Sequence, residues 1–135
     1  MKNATDTTVL IVDDIGEMRM ILRTILRHMG VRNILEAVDG LKAMEILGNL
    51  AMSQKLDLII ADWNMPNMSG LDLLKEVRKS AALKYIPFLM VTSENELENV
   101  LSAKDAGVTD YVVKPFNTRL LEAKLRDNLN FQENS

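Results

Sequence analysis

The sequence predicts an α/β domain: a parallel sheet of five strands, each followed by a helix, with helices covering both faces of the sheet. Two observations lead to this fold class. Short aliphatic runs such as Val9–Val12 show no alternation of apolar and polar residues, as expected for strands buried on both faces. Each run is followed by a longer segment whose apolar residues recur at helical spacing, and this alternation is typical of doubly wound parallel sheets.

Five apolar runs predict the strands. In chain order they are residues 9–12, 33–37, 56–61, 87–91 and 111–113. The second run is the weakest of them. Pro87 stands at the first position of the fourth run, where a strand tolerates the missing N–H of proline.

The helices are predicted from apolar residues that recur every three or four positions. Helix by helix, these residues are Ile15, Met18, Ile21, Leu22, Ile25, Leu26 and Met29; Leu41, Met44, Ile46 and Leu47; Leu71, Leu74 and Val77; Leu97, Val100 and Leu101; and, over residues 118–130, Leu120, Leu121, Leu125 and Leu129. Gly30 and Gly107 end the first and fourth helices, whereas Gly48-Asn49 interrupts the second and leaves its end open. Ser93 and Glu96 have capping-box spacing, which predicts that the fourth helix begins there.

The composition of the 135-residue chain excludes several kinds of site and partner. There is no cysteine and only one histidine, which excludes disulfides, thiolate chemistry and a histidine-based zinc site. A net charge of −3 argues against a nucleic-acid surface, which carries a basic excess. No apolar stretch is long enough for a signal peptide or a membrane span, so a cytoplasmic protein is expected. Without linkers or repeats, residues 1–135 are predicted to be one domain with its core at about 8–129.

Polar residues follow four of the five predicted strands. Asp13-Asp14 follows the first, Asp62 ends the third, Thr92-Ser93 follows the fourth, and Lys114-Pro115 follows the fifth. In open α/β sheets, functional sites lie beyond the carboxyl ends of the strands. We therefore expect these side chains to share one rim of the sheet.

This set of side chains has a chemical logic. Three carboxylates close together repel one another, and a divalent cation relieves the repulsion. Oxygen ligands without histidine or cysteine favour Mg²⁺ or Mn²⁺, and Mg²⁺ suits phosphoryl chemistry. A carboxylate can accept a phosphoryl group, and Asp62 is the best candidate because it ends a buried strand alone. Lys114 and Thr92 then offer a charge and a hydrogen-bond donor to the phosphoryl oxygens.

Each of these residues also has a simpler interpretation. Asp14 could cap the next helix, Thr92 or Ser93 could cap the fourth helix, and an isolated lysine such as Lys114 is most often a solvated surface residue. The series Arg19, Arg23 and Arg27 is typical of a solvated helix face, and His28 of a surface residue favoured by the helix dipole. The functional interpretation is favoured by the joint placement at successive strand ends, because no single residue would establish it.

At this point the sequence resembles the receiver domain of two-component response regulators, and in particular its stand-alone chemotaxis members. The matching motifs are VDD at 12–14, DWNMPNMSG at 62–70, VTS at 91–93 and YVVKPF at 111–116, and the resemblance covers about residues 8–129. It implies a flavodoxin-like (βα)5 fold with strand order 2-1-3-4-5. It further implies a switch that assists its own phosphorylation and dephosphorylation, and not an enzyme.

The resemblance also implies a role for each site residue. Asp62 would accept a phosphoryl group from the phosphohistidine of a sensor kinase. The implied Mg²⁺ ligands are Asp14 directly, Asp13 through water, Asp62, and the backbone carbonyl of Asn64. The other implied roles are phosphoryl binding by Lys114 and Thr92, switching by Thr92 and Tyr111, and tuning of dephosphorylation by Asn64 and Glu94. The Lys114–Pro115 peptide would be cis, as it often is in the family.

Two departures bear on the partner. Chemotaxis members carry a basic pair early in the fourth helix, where this chain has Glu96 and Leu97, although Tyr111 and Lys124 on the same face are kept. The target is therefore either a flagellar switch protein or another protein that binds this face, and the alternative role is a phosphorelay intermediate or a phosphate sink. The segment Gly48–Lys55 is also longer than in those members. A monomer is expected, with a phosphatase as a further partner.

Two other functions fit the sequence less well. An aspartyl phosphatase typically needs a second acid two residues after its nucleophile, and Asn64 stands there. A flavodoxin-like FMN carrier would need a Ser/Thr/Gly-rich loop after the first strand, where this chain has Asp13-Asp14.

Overall fold

The computed structural model describes residues 3–50 and 55–129. Within them, a 3₁₀ helix at Ala4–Asp6 precedes five strands and five α-helices that alternate along the chain. The strands are β1 (Thr8–Val12), β2 (Asn33–Ala37), β3 (Leu58–Ala61), β4 (Phe88–Thr92) and β5 (Asp110–Val113). The helices are α1 (Gly16–His28), α2 (Gly40–Leu50), α3 (Gly70–Lys79), α4 (Leu97–Asp105) and α5 (Thr118–Leu129).

The strands form one parallel sheet in the order β2-β1-β3-β4-β5, which confirms the expected order. The register aligns the carboxyl ends: Val12 of β1 pairs with Ala37 of β2 and with Ala61 of β3. At the other side of the sheet, Thr92 of β4 pairs with Val113 of β5. The residues that follow these strands therefore emerge along one rim.

The sheet is covered on both faces, because alternate residues of each strand enter different apolar clusters. In β1, Val9 and Ile11 pack with α1 and α5, whereas Leu10 and Val12 pack with α2 and α3. All four of these side chains are fully buried. Burial on both faces explains why apolar and polar residues do not alternate along this strand.

Several predicted details are wrong. Helix α2 continues through Gly48-Asn49 to Leu50, and β3 begins at Leu58 and not at residue 56. In α3, Leu74 and Val77 are fully buried and Leu71 packs half-buried against the same cluster, as predicted, but the fully buried Leu73 was not assigned to that face. Some apolar residues of the predicted helical pattern do not face the core and are exposed: Ile15, Ile21, Leu41, Leu97, Leu101 and Leu120. Residues 51–54 of the longer segment, Asn130 and the tail at 131–135 lie outside the described residues.

The predicted capping box is also wrong, and the alternative role of Asp14 as a helix cap is not seen. Glu96 occupies the N-cap position of α4 without a side-chain hydrogen bond, so Ser93 and Glu96 form no capping box. Ile15, and not Asp14, is the N-cap residue of α1. Asp14, Thr92 and Ser93 therefore do not occupy the N-cap positions of α1 and α4.

Candidate functional site

Three of the predicted rim residues are in contact: the carboxylates of Asp13 and Asp62 both contact the ammonium group of Lys114. Lys114 Nζ lies 3.0 Å from Asp13 Oδ2 and 3.2 Å from Asp62 Oδ2. The side chains of Lys114, Asp13 and Asp62 are 13%, 2% and 9% exposed, so Lys114 is not a solvated surface residue. The Lys114–Pro115 peptide is cis, and the Lys114 N–H donates to the carbonyl of Thr92 at 2.8 Å.

Asp13 is held by four hydrogen bonds, one at each of its polar atoms. Its N–H donates to the carbonyl of Ala37, and its own carbonyl accepts from Arg19 at 2.7 Å. Oδ1 accepts from the N–H of Ile15 at 2.9 Å, and Oδ2 accepts from Lys114. Burial raises the pKa of Asp13, although the hydrogen bonds and the Lys114 charge oppose this. A proton or a cation at Asp13 would offset the energetic cost of burying its negative charge.

Asp62 stands directly after β3, where its N–H donates to the carbonyl of Val12 at 3.0 Å. Oδ1 accepts from the N–H of Trp63 at 2.6 Å, while Oδ2 faces Lys114. The loop then folds back, because the N–H of Gly70 donates to the carbonyl of Trp63 at 2.9 Å. A Cβ at Gly70 would lie 2.1 Å from the carbonyl oxygen of Asp62, so only glycine fits there.

The acidic cluster suits a divalent cation. Carboxylate oxygens of Asp13, Asp14 and Asp62 all lie within 4.8 Å of one another, and Asp14 is exposed to solvent. Lys114 balances only one of the three negative charges. Hard oxygen donors with a net negative charge and one side open to water match the ligands that Mg²⁺ prefers. The residues present therefore fit this ion.

A second set of contacts links Thr92 to Tyr111 through residue 94. The hydroxyl of Thr92, which is fully buried, accepts from the N–H of Glu94 at 3.3 Å. The hydroxyl of Tyr111 donates to the carbonyl of Glu94 at 2.6 Å. Burial, with the charges of Glu94 and Asp62, raises the pKa of Tyr111 to about 12. The half-buried ring of Tyr111 packs against the apolar cluster beneath α2 and α3.

The side chain of Glu94 spans two loops. Its Oε1 accepts from the amide of Asn64 at 2.6 Å, and its Oε2 accepts from Asn99 at 3.0 Å. Asn64 is exposed in the loop after β3, two residues beyond Asp62. The structure thus joins the two residues for which the resemblance implied a tuning role.

Lys124 is already paired. Its Nζ lies 3.0 Å from Asp110 Oδ1, and Asn128 donates to the other carboxylate oxygen of Asp110 at 3.5 Å. The charge of Lys124 is therefore balanced within the domain before any partner binds.

Sequence reasoning missed a contact that ties the loop after β3 to the start of α2. Asn67 has a left-handed backbone with φ of 68°, and its amide donates to Asp39 Oδ2 at 2.7 Å. Asp39 Oδ1 accepts from the N–H of Lys42 at the start of α2, and these two hydrogen bonds lower the pKa of Asp39. Asp39-Gly40 before a helix, and an asparagine in a turn, were the available signals.

Comparison with known proteins agrees with this geometry. The model of the response regulator receiver domain matches residues 9–126. The chain belongs to the response regulator receiver family. Two curated relatives are each 44% identical over 117 residues, or 87% of this chain: the chemotaxis protein CheY-3 of Vibrio cholerae and the chemotaxis protein CheY of Pseudomonas aeruginosa, covered over 87% and 91% of their lengths.

Solved receiver structures share the fold. The chemotaxis protein CheY4 of Vibrio cholerae superimposes with a TM-score of 0.81 at 34% identity, over 91% of this chain and 98% of that one. Among the helices within residues 3–50 and 55–129, none is long and apolar enough to cross a bilayer.

Proposed function

We propose that Asp62 accepts a phosphoryl group from the phosphohistidine of a sensor histidine kinase, and that this modification switches the binding of a partner protein. The observation that carries the proposal is the Lys114 ammonium within 3.0–3.2 Å of both Asp13 and Asp62 at the carboxyl rim of the sheet. We assign the receiver domain a core of residues 8–129. Membership of the receiver family supports this assignment.

In the proposed reaction, an oxygen of the Asp62 carboxylate attacks the phosphorus of the phosphohistidine. A P–O bond forms as the P–N bond breaks, and the bonding pair returns to the imidazole nitrogen of the kinase. Lys114 remains beside Asp62 and pairs with a phosphoryl oxygen, so it offsets charge in the transition state. The hydroxyl of Thr92 accepts from the N–H of Glu94 in this structure, and its O–H would donate to another phosphoryl oxygen once the hydroxyl turns towards Asp62.

Asp13, Asp14 and Asp62 would hold Mg²⁺ together with the backbone carbonyl of Asn64, and Mn²⁺ could replace it. Bound there, Mg²⁺ neutralises developing charge on the transferred group. The cluster of three carboxylates around one lysine supports this assignment.

The switch is proposed to run through residue 94. When the Thr92 hydroxyl turns to the phosphoryl group, its contact with the N–H of Glu94 weakens. The carbonyl of the same residue holds the hydroxyl of Tyr111, so a shift of Glu94 changes the position of the ring at the sheet edge. A local change at Asp62 thereby biases a surface element between two arrangements.

The proposed output surface consists of exposed apolar residues on α4, β5 and α5. Leu97 and Leu101 are 70% and 47% exposed, Val113 is 38% exposed and Leu120 is 52% exposed. Because the two curated relatives are chemotaxis proteins, we propose chemotaxis as the pathway and a flagellar switch protein as the target. The role of phosphorelay intermediate or phosphate sink is retained as the alternative, because Glu96 and Leu97 make this face acidic and apolar.

We further propose that the chain is a monomeric switch without sustained enzymatic turnover. The hydrogen bond between Asn64 and Glu94 at the edge of the site supports a role of both residues in setting the rate of dephosphorylation. A separate phosphatase would act at the same aspartyl phosphate.

Intact-mass measurement tests the chemistry. The protein is incubated with a small phosphodonor, with Mg²⁺ or with a chelator. We expect a gain of one phosphate that needs Mg²⁺, vanishes in Asp62→Asn, and persists in Asp72→Asn, an exposed aspartate on α3. A gain that persists in Asp62→Asn would disprove Asp62 as the acceptor. Continuous hydrolysis of a phosphomonoester would instead favour the aspartyl phosphatase.

A binding experiment separates the two signalling roles. A motor-directed regulator should bind a flagellar switch peptide more tightly when phosphorylated. A relay intermediate should instead transfer its phosphoryl group to a second histidine-containing domain, with no change in affinity for the peptide.

A further inference from the structure

Arg19 connects the acidic loop to a neighbouring strand. Its Nη1 donates to the backbone carbonyl of Asp13 at 2.7 Å, and its Nε donates to Glu36 Oε1 on β2 at 3.2 Å. Arg23, one turn later on α1, bonds the other oxygen of Glu36 at 2.5 Å. The side chains of Arg19, Arg23 and Glu36 are only 21–29% exposed, so the predicted solvated face is wrong for both arginines. Arg27 remains exposed as predicted.

We propose that Arg19 is a positioning residue for the metal-binding loop, which assumes the Mg²⁺ site described under Proposed function. Within the described part of the chain, two side chains donate to Asp13: Lys114, which belongs to the predicted site, and Arg19, which does not. The other two hydrogen bonds of Asp13 are to backbone groups. The guanidinium of Arg19 fixes the peptide between Asp13 and Asp14, and therefore the directions in which both carboxylates leave the chain. The planar fork can reach Glu36 and the carbonyl of Asp13 together, which a single ammonium cannot do equally well.

Electrostatics and geometry predict opposite effects of removing this residue. The loss of a positive charge near a cation site would tighten Mg²⁺ binding. Loss of the hydrogen bond to Asp13 would weaken it, because the carboxylates would no longer be held in the binding geometry. Changes in the groups that orient metal ligands typically lower metal affinity by about 10–100-fold, which exceeds the effect of one partly solvated charge.

Arg23 supplies a matched control. Arg19→Met and Arg23→Met each remove one positive charge and one contact with Glu36, and each leaves Glu36 with the other arginine. They differ at the carbonyl of Asp13, which only Arg19 reaches. Mg²⁺ titration is followed by the fluorescence of Trp63, the only tryptophan in the chain, and folding is measured by urea unfolding.

We expect Arg19→Met to weaken Mg²⁺ binding by about tenfold and Arg23→Met to change it by less than about threefold. Arg19→Lys should bind Mg²⁺ with an affinity between those of the wild type and Arg19→Met. This variant allows the same comparison if Arg19→Met does not fold. Equal Mg²⁺ affinities of the two methionine variants, or tighter binding by Arg19→Met, would overturn the assignment of Arg19 alone. Absence of any Mg²⁺ response in the unchanged protein would overturn the metal site itself.

Discussion

Gly70 has no room for a side chain, and the substitution Gly70→Ala therefore tests how rigidly Asp62 is held. The new Cβ would lie 2.1 Å from the carbonyl oxygen of Asp62, 2.9 Å from its carbonyl carbon and 3.1 Å from the sulfur of Met90. Since real Cβ contacts are essentially never shorter than 3.0 Å, α3 and the end of β3 must move apart by about 0.9 Å.

The two atoms nearest to the new Cβ belong to the backbone of Asp62, so no side-chain rotation can relieve these two contacts. Overpacking of a close-packed site costs about 1–3 kcal/mol, and rigid neighbours favour the upper end of that range. Alanine at a helical position returns up to about 1 kcal/mol, which leaves a net destabilisation of about 2 kcal/mol. With a urea m-value of about 1–3 kcal/mol/M, the unfolding midpoint should fall by roughly 1 M.

The same displacement should slow phosphorylation. A misplacement of about 1 Å can reduce a rate by about 100-fold, and Asp62 must face Lys114 at 3.2 Å. We expect a 10- to 100-fold slower gain of phosphate in Gly70→Ala under conditions where the variant is folded. Gly48→Ala is the control, because a Cβ at Gly48 meets nothing within 4 Å and should stabilise α2 by up to about 1 kcal/mol. Unchanged stability and rate in Gly70→Ala would refute the reasoning.

Three further substitutions address other parts of the domain. The pKa of Tyr111 is raised from 10.0 to about 12, so the protonated hydroxyl stabilises the folded state fully below pH 10, and this stabilisation is lost as the pH rises through 12. In Tyr111→Phe, the free energy of unfolding in urea should therefore not show this loss at high pH. Arg78 donates to the carbonyls of Lys84, Ile86 and Gly107 and to the hydroxyl of Thr109, so Arg78→Met should destabilise the domain by about 3 kcal/mol without slowing phosphorylation. Asn67→Gly keeps the left-handed backbone and loses the contact with Asp39, so it should be more stable than Asn67→Ala by about 1 kcal/mol.

Each of these predictions has a control or a contrary result. For Tyr111, equal pH dependence of the wild type and the phenylalanine variant would contradict the raised pKa. For Arg78, the neighbouring Lys79→Met should change stability by less than about 0.5 kcal/mol, since Lys79 is largely exposed. For Asn67, equal stability of the glycine and alanine variants would contradict the cost assigned to its positive φ.

The strands and the rim could be predicted because both depend on short stretches of sequence. A fully buried parallel strand must be apolar throughout, and the polar residue that follows it must emerge at the rim. Asp13, Asp62 and Lys114 were found in this way, and no contact between distant residues had to be known.

The remaining features depend on contacts that no local pattern encodes. Arg19 and Arg23 have the spacing of a solvated helix face, but Glu36 on β2 draws both guanidinium groups inward. Leu97 and Leu101 have the spacing of a core stripe, yet α4 buries only Ala103 fully. Periodicity shows that a helix has an apolar face, but it does not show whether the domain or a partner covers that face.

The ion pairs of Lys114 at the rim connect residues that are far apart in the sequence. Lys114 lies 101 residues after Asp13 and 52 residues after Asp62. It follows β5, which is an edge strand of the sheet formed by the described residues and pairs there with β4. A chain in which β5 has not yet docked would bury two carboxylates without the cation that balances them, which is unfavourable. Docking of β5 therefore completes both the sheet and the cluster of Asp13, Asp62 and Lys114. Under the proposed function, a chain with β5 undocked would lack the lysine that pairs with the phosphoryl group, so only the completed sheet would be competent for phosphorylation.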